Sequence, residues 1–275
     1  MKKGILFIVV LFAMQICIAQ KSGDMRKVEI QLIRNATLKL NYAGKTILVD
    51  PMLSAKHSFM SFVEQGKDLN PTLDLPVSAE EVVKGIDAVL LTHVHPDHLD
   101  PKSVEVLPKE IPFFAQVADK EAVEKMPFQQ LTLVEDEAKY DEITITRTNG
   151  KHGPKELLEV LGTVSGYVLQ AENNPTIYIV GDCLLDADVE QTIEKYNPDI
   201  IVTNSGGAMF MGENRILMDV QETIAVAKKA PKAKVVAVHM EALDHCTVTR
   251  ESMKAEAEKA GVEIIIPKDG ETLIF

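Results

Sequence analysis

Thr92-His93-Val94-His95-Pro96-Asp97-His98 follows directly on the apolar run Ala88-Val89-Leu90-Leu91. A short unbroken apolar run reads as a buried strand, so the polar residues begin where the strand ends. A tight turn at that point lets His93, His95, Asp97 and His98 converge their nitrogen and oxygen donors, and Pro96 restricts the backbone that presents them. Three of the seven histidines fall within these six residues, a concentration that a solvated turn has no reason to keep. The stretch is read as a metal site.

Upstream, residues 28–34, 37–42 and 46–49 carry strand patterning with turn residues over 41–44, which predicts an antiparallel meander. Residues 54–76 are irregular and broken by Pro71 and Pro76; Ser78-Ala79-Glu80-Glu81 then has the form of a capping box opening a short helix. From there strands alternate with amphipathic helices. Strands are expected at 87–91, 113–116, 131–134 and 142–147, and helices at 101–106 and 119–126. The second half repeats the alternation, with strands at 165–170, 176–180, 199–203, 235–238, 263–266 and 271–275 and helices at 187–196, 219–229 and around 250–260. Strands covered by helices on one side and by another sheet on the other predict a layered α/β domain.

The motif His-x-His-x-Asp-His after a strand resembles the signature of the metallo-β-lactamase fold superfamily, and further positions match that family in order. His152, in Asn149-Gly150-Lys151-His152-Gly153, resembles the third histidine; alone it would be an ordinary loop histidine. Asp182, in Val180-Gly181-Asp182, resembles the aspartate that bridges two cations; alone it would be a helix N-cap. His239, ending Val235-Val236-Ala237-Val238, resembles the last histidine, with His245 as its competitor for that place or as a group that hydrogen-bonds substrate. Asp50 before Pro51 resembles an aspartate that orients a metal-bound imidazole through its other nitrogen, the alternative being a plain turn aspartate. Asn204-Ser205-Gly206-Gly207 follows a strand, so its amides either line the pocket and stabilise an oxyanion or form a simple turn.

The resemblance implies a four-layer αβ/βα sandwich and a hydrolase working through a metal-bridging hydroxide. One divalent ion is expected on His93, His95 and His152 and another on Asp97, His98 and His239, with Asp97 and Asp182 able to carry a proton. Zinc is the first choice for a ligand set of this kind, and manganese and iron also suit it. Asp50-Pro51, Gly206-Gly207 and the stretch from Met218-Asp219 to Val238-His239 resemble the branch related to ascorbate-6-phosphate lactonase, whereas His239-Met240-Glu241-Ala242-Leu243-Asp244-His245-Cys246 departs from that branch's His-Tyr ending. The expected substrate is a small ester, lactone or phosphoester, with Lys151, Arg215 and Lys268 either walling the pocket or simply solvated. An iron oxidoreductase on the same ligands and a non-catalytic metal-binding or ligand-binding protein are the alternatives.

Lys2 and Lys3, the apolar residues 4–14 and Cys17-Ile18-Ala19 read as a secretory signal peptide over 1–19, cut before Gln20. This leaves 20–275 as one domain, exported to the periplasm or secreted, with no stable membrane insertion after processing. Removal of Lys2 and Lys3 takes the basic count from 29 to 27 against 41 acidic residues, a charge of about -14 that repels nucleic acid. The partner expected is a small-molecule substrate; the oligomeric state is left open. Cys183 and Cys246 survive processing, too few for a disulfide framework, and are either one bridge or two thiols. Mass spectrometry of the protein from its native host is expected to find an N-terminus near Gln20; an intact Met1 would remove the case for a signal peptide.

Overall fold

The computed structural model describes residues 25–212 and 214–275, so the expected signal peptide at 1–19 lies outside the described residues. The first half runs β1 (Glu29–Arg34), β2 (Thr37–Tyr42), β3 (Lys45–Val49), α1 (Ala79–Val82), β4 (Ala88–Leu90), α2 (Pro101–Val106), β5 (Pro112–Gln116), α3 (Lys120–Val123), β6 (Gln130–Val134) and β7 (Glu137–Tyr140). The second runs β8 (Ile143–Gly150), α4 (Leu158–Leu161), β9 (Val164–Gln170), β10 (Ile177–Ile179), α5 (Ala187–Tyr196), β11 (Ile200–Asn204), β12 (Met209–Phe210) and β13 (Asn214–Arg215). It ends with α6 (Val220–Lys229), β14 (Lys234–Val238), α7 (Arg250–Ala260) and β15 (Thr272–Ile274).

Strand alternation decides which side of each sheet is buried against the other. A seven-stranded sheet in the order β15-β1-β2-β3-β4-β5-β6 faces a six-stranded sheet in the order β14-β11-β10-β9-β8-β7. Ile47, Val49, Ala88 and Leu90 of the first meet Ile177, Ile179, Ile200, Val202, Val236 and Val238 of the second in one central core. The residues between them point outwards: Leu48, Val89 and Leu91 join one outer core beside α1, and Tyr178, Ile201 and Val235 join another with Val189 and Ile193 of α5. Each fully buried side chain of this size contributes about 1.5–3 kcal/mol, so a register slip of one residue is strongly opposed. Helix, sheet, sheet, helix is the expected four-layer α/β sandwich.

Parallel pairing sets the position of the site. The strands β3, β4 and β5 are parallel neighbours, as are β10, β11 and β14. Their carboxyl ends therefore lie along one edge of each sheet. Asp50 follows β3, the histidine cluster follows β4, Asp182 follows β10, Asn204 ends β11 and His239 follows β14. Two tyrosine hydroxyls cross the interior to bind carbonyls, Tyr42 to Pro175 (3.0 Å) and Tyr167 to Leu91 (3.1 Å), the latter one residue before the cluster begins.

Several local expectations change. Residues 263–266 form no strand, because only Ile265 bonds to the edge strand, giving to the Val235 carbonyl and accepting from the Ala237 amide. The expected helix at 119–126 resolves into a 3-10 turn at Val117–Asp119 followed by the short α3. Strand β7, which alternates exposed Glu137 and Lys139 with half-buried Ala138 and Tyr140, has too few apolar residues to be seen by pattern.

Arg34 at the end of β1 is fully buried and donates to three carbonyls, Leu73 (2.9 Å), Met52 (3.0 Å) and Ser54 (2.8 Å). Burial lowers its pKa to about 10, opposed by the charges of Asp100, Asp269 and Asp74, so it stays a cation at neutral pH. Each buried acceptor left unpaired costs about 1–3 kcal/mol. Arg34→Met is therefore expected to lower the unfolding free energy by about 3 kcal/mol or more in urea titration; a midpoint equal to the parent's would show that these loops are held by other contacts.

Candidate metal centre

Seven buried or half-buried donors come together at that edge in two groups. His93, His95 and His152 make one; Asp97, His98, Asp182 and His239 make the other, with ligand atoms in each group within 4.8 Å of one another. The alternating His93 and His95 turn their rings edge to face, placing Nε2 of His93 2.9 Å from Nδ1 of His95. His152 hydrogen-bonds the Ile216 carbonyl through Nδ1 (2.8 Å), which assigns the proton to that nitrogen and leaves Nε2 directed to the centre, 3.9 Å from Asp182 Oδ2. The carboxylate of Asp182 joins the two groups, also lying 3.2 Å from His98 Nε2 and 3.6 Å from His239 Nε2. Asp97 Oδ2 is 3.2 Å from His239 Nε2.

Supporting bonds fix each donor. Asp50 Oδ2 accepts from His98 Nδ1 (2.8 Å) and Thr92 Oγ1 (2.7 Å), and its Oδ1 accepts from the Thr92 amide (2.8 Å). Asn204 Nδ2 donates to Asp182 Oδ1 (2.6 Å), leaving Oδ2 for the centre. Asn35, in the β1–β2 turn, holds two pieces at once: its side chain donates to the Asp97 carbonyl (3.1 Å) and its own carbonyl accepts the His239 amide (2.9 Å). Sequence reasoning passed over Asn35 because a turn asparagine needs no further explanation. The amides of Ser205 and Gly207 bond to the carbonyls of Val238 and Met218, so neither is free to stabilise an oxyanion; that role is not theirs. Gly206 is a close approach instead, since a Cβ there would lie 2.1 Å from the His239 carbonyl oxygen.

The electrostatics match a cation site. Burial holds His93 well below its ordinary pKa and His152 at about 4, so both are neutral and offer lone pairs at neutral pH. Burial is the largest influence on His98 and His239 and lowers both, but the combined pull of their neighbours, Asp182, Asp97 and Asp50 on His98 and Asp182, Asp97 and Cys246 on His239, outweighs it and raises both. Burial opposes ionisation of Asp97 and Asp182, yet the attraction of His98 and His239 holds both carboxyls below the usual range. Nε2 of His98 and Nε2 of His239 are sealed from solvent with no hydrogen-bond partner. A divalent cation displacing the protons from these two nitrogens would take a lone pair from each imidazole and negative charge from the two carboxylates, so the donor set fits cations.

The remaining candidates separate. His245 is outside both ligand groups and lines the adjoining cleft, its ring edge-on to Phe62 with centroids 4.7 Å apart. Cys183 and Cys246 are not bridged: Cys183 Sγ bonds the Val180 carbonyl and Cys246 Sγ lies 3.7 Å from His239 Nδ1. Lys151 pairs with Asp186 (3.2 Å), and Arg215 with Glu222 (2.5 Å) and Asp219 (3.4 Å). The cleft, about 210 Å³, is walled by Phe62, Pro96, Val160, Leu161, Phe210 and Ile216, while His95, Asp97, His152, Asp182 and His245 supply its polar groups. No lysine or arginine lines it among the described residues. Apart from Pro96, the apolar walls come from segments without a motif, which is why the sequence did not single them out.

Known proteins agree with this geometry. The family described as "Beta-lactamase superfamily domain" matches residues 45–240. UPF0173 protein YddR of Bacillus subtilis is 36% identical over 252 residues, covering 90% of this chain and 99% of that protein. A UPF0173 metal-dependent hydrolase of Azorhizobium caulinodans is 24% identical over 89% of this chain and 98% of its own. The crystal structure of an isothiocyanate hydrolase from Delia radicum gut bacteria superposes with a TM-score of 0.84 at 35% identity, covering 90% of this chain and 98% of that one. Two sheets in a four-layer sandwich, a His/Asp cluster fit for metal and these similarities together identify the chain as a metal-dependent hydrolase of the UPF0173 family, within the β-lactamase superfamily.

Proposed function

We propose that this protein hydrolyses a small, uncharged electrophile with an apolar substituent, of the isothiocyanate class, using two zinc ions. The observation that carries this reading is the cleft: apolar walls, a polar floor of ligand residues, and no lysine or arginine among its lining residues. With the charge of the ions met by Asp97 and Asp182, an anionic substituent would find no lysine or arginine in the cleft to pair with, whereas a neutral molecule is desolvated cheaply there. The similar isothiocyanate hydrolase supplies the head group that fits such a cleft. The likeness to ascorbate-6-phosphate lactonase carries less, because a phosphorylated substrate calls for a cationic anchor in the cleft. Export of the processed chain, read from residues 1–19, belongs to the same proposal.

His93, His95 and His152 would hold one ion and Asp97, His98 and His239 the other, with Asp182 shared between them. Divalent ions at this place would supply a nucleophile from water at neutral pH and polarise the electrophile. The chain's own residues hold the geometry: Asp50 fixes the His98 ring, the Ile216 carbonyl fixes His152, and Asn204 turns Asp182. Phe62, Val160 and Phe210 shield the reacting carbon from bulk water. In the reaction, water adds across the C=N bond of R–N=C=S: a C–O bond forms, the C=N π pair moves to nitrogen, and nitrogen takes the proton. The resulting thiocarbamic acid breaks its C–N bond, nitrogen takes the remaining acidic proton, and an amine and carbonyl sulfide leave. Asp97 and Asp182, buried beside that point, carry the proton in transit.

A substrate panel tests the class. Benzyl isothiocyanate is expected to be turned over, its 4-carboxylate analogue about tenfold less efficiently, and phosphodiesters not at all; preference for a phosphoester would overturn the reading. Asp182 tests the metal arrangement. Asp182→Asn keeps the side chain's size but removes the shared negative charge, so metal content is expected to fall from about two towards one per chain and turnover by about a thousandfold. Chelation of the parent should abolish activity and lower the melting temperature, because ions that bind only the folded chain stabilise it. An Asp182→Asn protein with two metals and full activity would falsify the shared-ligand assignment.

A further inference from the structure

His245 lies in the cleft with a role that the ligand groups do not use. The residue is 8% exposed, and its Nδ1 is sealed from solvent without a hydrogen-bond partner, whereas Nε2 is not so sealed. Phe62 packs edge-on against its ring at an interplanar angle of 84°. The preceding residue, Asp244, pins the segment that carries Phe62. Its Oδ1 accepts from the Phe62 amide (3.2 Å) and from Asn70 Nδ2 (3.0 Å), its Oδ2 accepts from the Ser61 hydroxyl, and its own amide donates to Asn70 Oδ1 (2.9 Å). The dipeptide Asp244-His245 thus sets an apolar wall of the cleft and a polar point within it.

Burial pushes His245 below its ordinary pKa, so the ring is a neutral imidazole with one donor and one acceptor nitrogen. A proton on Nδ1 would be a sealed donor with nothing to receive it. With the proton on Nε2, Nδ1 is left as a sealed acceptor, less costly than a sealed donor, and the cleft gains a donor that no metal ligand supplies.

We propose that His245 binds substrate, its Nε2–H donating a hydrogen bond to the heteroatom of the electrophile that gathers negative charge as water adds, with Asp244 as the positioning residue that sets Phe62 against it. This rests on the reading that the cleft takes a neutral electrophile. Such a donor acts where charge develops, so its removal affects turnover more than the binding of apolar mass. The bond also discriminates: a ligand with an acceptor at its head gains from His245 and a hydrocarbon of the same shape does not.

The experiment compares the metal-loaded parent with His245→Phe, which keeps an aromatic ring against Phe62, and His245→Gln, which keeps a donor. Metal content, melting temperature and kcat and KM for benzyl isothiocyanate are measured. Calorimetry then gives affinities for phenylacetonitrile, whose linear head group ends in an acceptor, and for ethylbenzene, which has none. His245→Phe is expected to keep about two metals per chain, lose about a hundredfold in kcat and bind phenylacetonitrile about tenfold more weakly, with ethylbenzene unaffected. His245→Gln should recover part of both losses. Unchanged nitrile affinity in His245→Phe, loss of a metal from it, or equal failure of His245→Gln would overturn the assignment. A parent that binds the nitrile yet leaves benzyl isothiocyanate intact overturns the isothiocyanate reading alone, since the nitrile comparison still judges His245. A parent inert to both overturns both.

Discussion

Two ionised carboxylates, Asp97 and Asp182, share a buried space with the imidazoles of His93, His98, His152 and His239. Uncompensated, such a cluster is costly, because burial removes water from every charge and from every lone pair. The chain accepts that cost by building the cluster from strand ends, where the sandwich on either side supplies the rigidity. Three of the donors are tied from behind: His98 by Asp50, His152 by the Ile216 carbonyl, Asp182 by Asn204. What is left pointing inward is a set of lone pairs and negative charge that divalent cations satisfy and protons or water satisfy less completely.

Backbone strain collects at the same points. Asp50 and His239 adopt left-handed φ values of 44° and 62°, which cost a side-chain-bearing residue energy that glycine would avoid. At each position the chain must turn off a strand immediately, and at each the side chain is needed by the centre. The surroundings hold the strained form: the Asp50 amide bonds to the Leu90 carbonyl and the His239 amide to that of Asn35. Glycine appears one layer back, at Gly206, where the His239 carbonyl leaves no space for a Cβ. Function thus decides which positions keep their side chains and which give them up.

The parts of this arrangement that repeat were legible in the sequence. Most of the strands, the helix 187–196 capped by Asp186 and the helix 250–260 capped by Thr249 stand where the pattern puts them, because each depends on local spacing and local bonds. Of the residues matched in order, Asp182 proves to be no helix cap, and His239 rather than His245 joins the ligand groups. Less legible was anything set by distant partners. Asn35 bridges two loops far apart in sequence, Cys246 packs behind His239, and the Phe62 amide is tied to Asp244. None of these has a periodicity or a motif. The segment 263–266, alternating and apolar enough to suggest a strand, meets only part of an edge and so stays a single bridge.

The balance of charge links the fold to its chemistry. An acidic chain with a centre rich in carboxylate attracts cations over distance and discourages anions. Lys151 and Arg215 do not reverse this locally, since each is taken up by acidic neighbours. Bound metals would offset the carboxylates within the centre, but the apolar walls of the cleft offer no further anchor for a charged group. Recognition is then divided between two kinds of surface: the walls select apolar bulk, and the polar floor selects an electrophile. Because hydrophobic contact alone discriminates weakly between molecules of similar shape, the finer choice must fall to a directed polar contact beside the metals. In this cleft the side chain free to make it, neither a metal ligand nor tied through its ring to the frame, is that of His245.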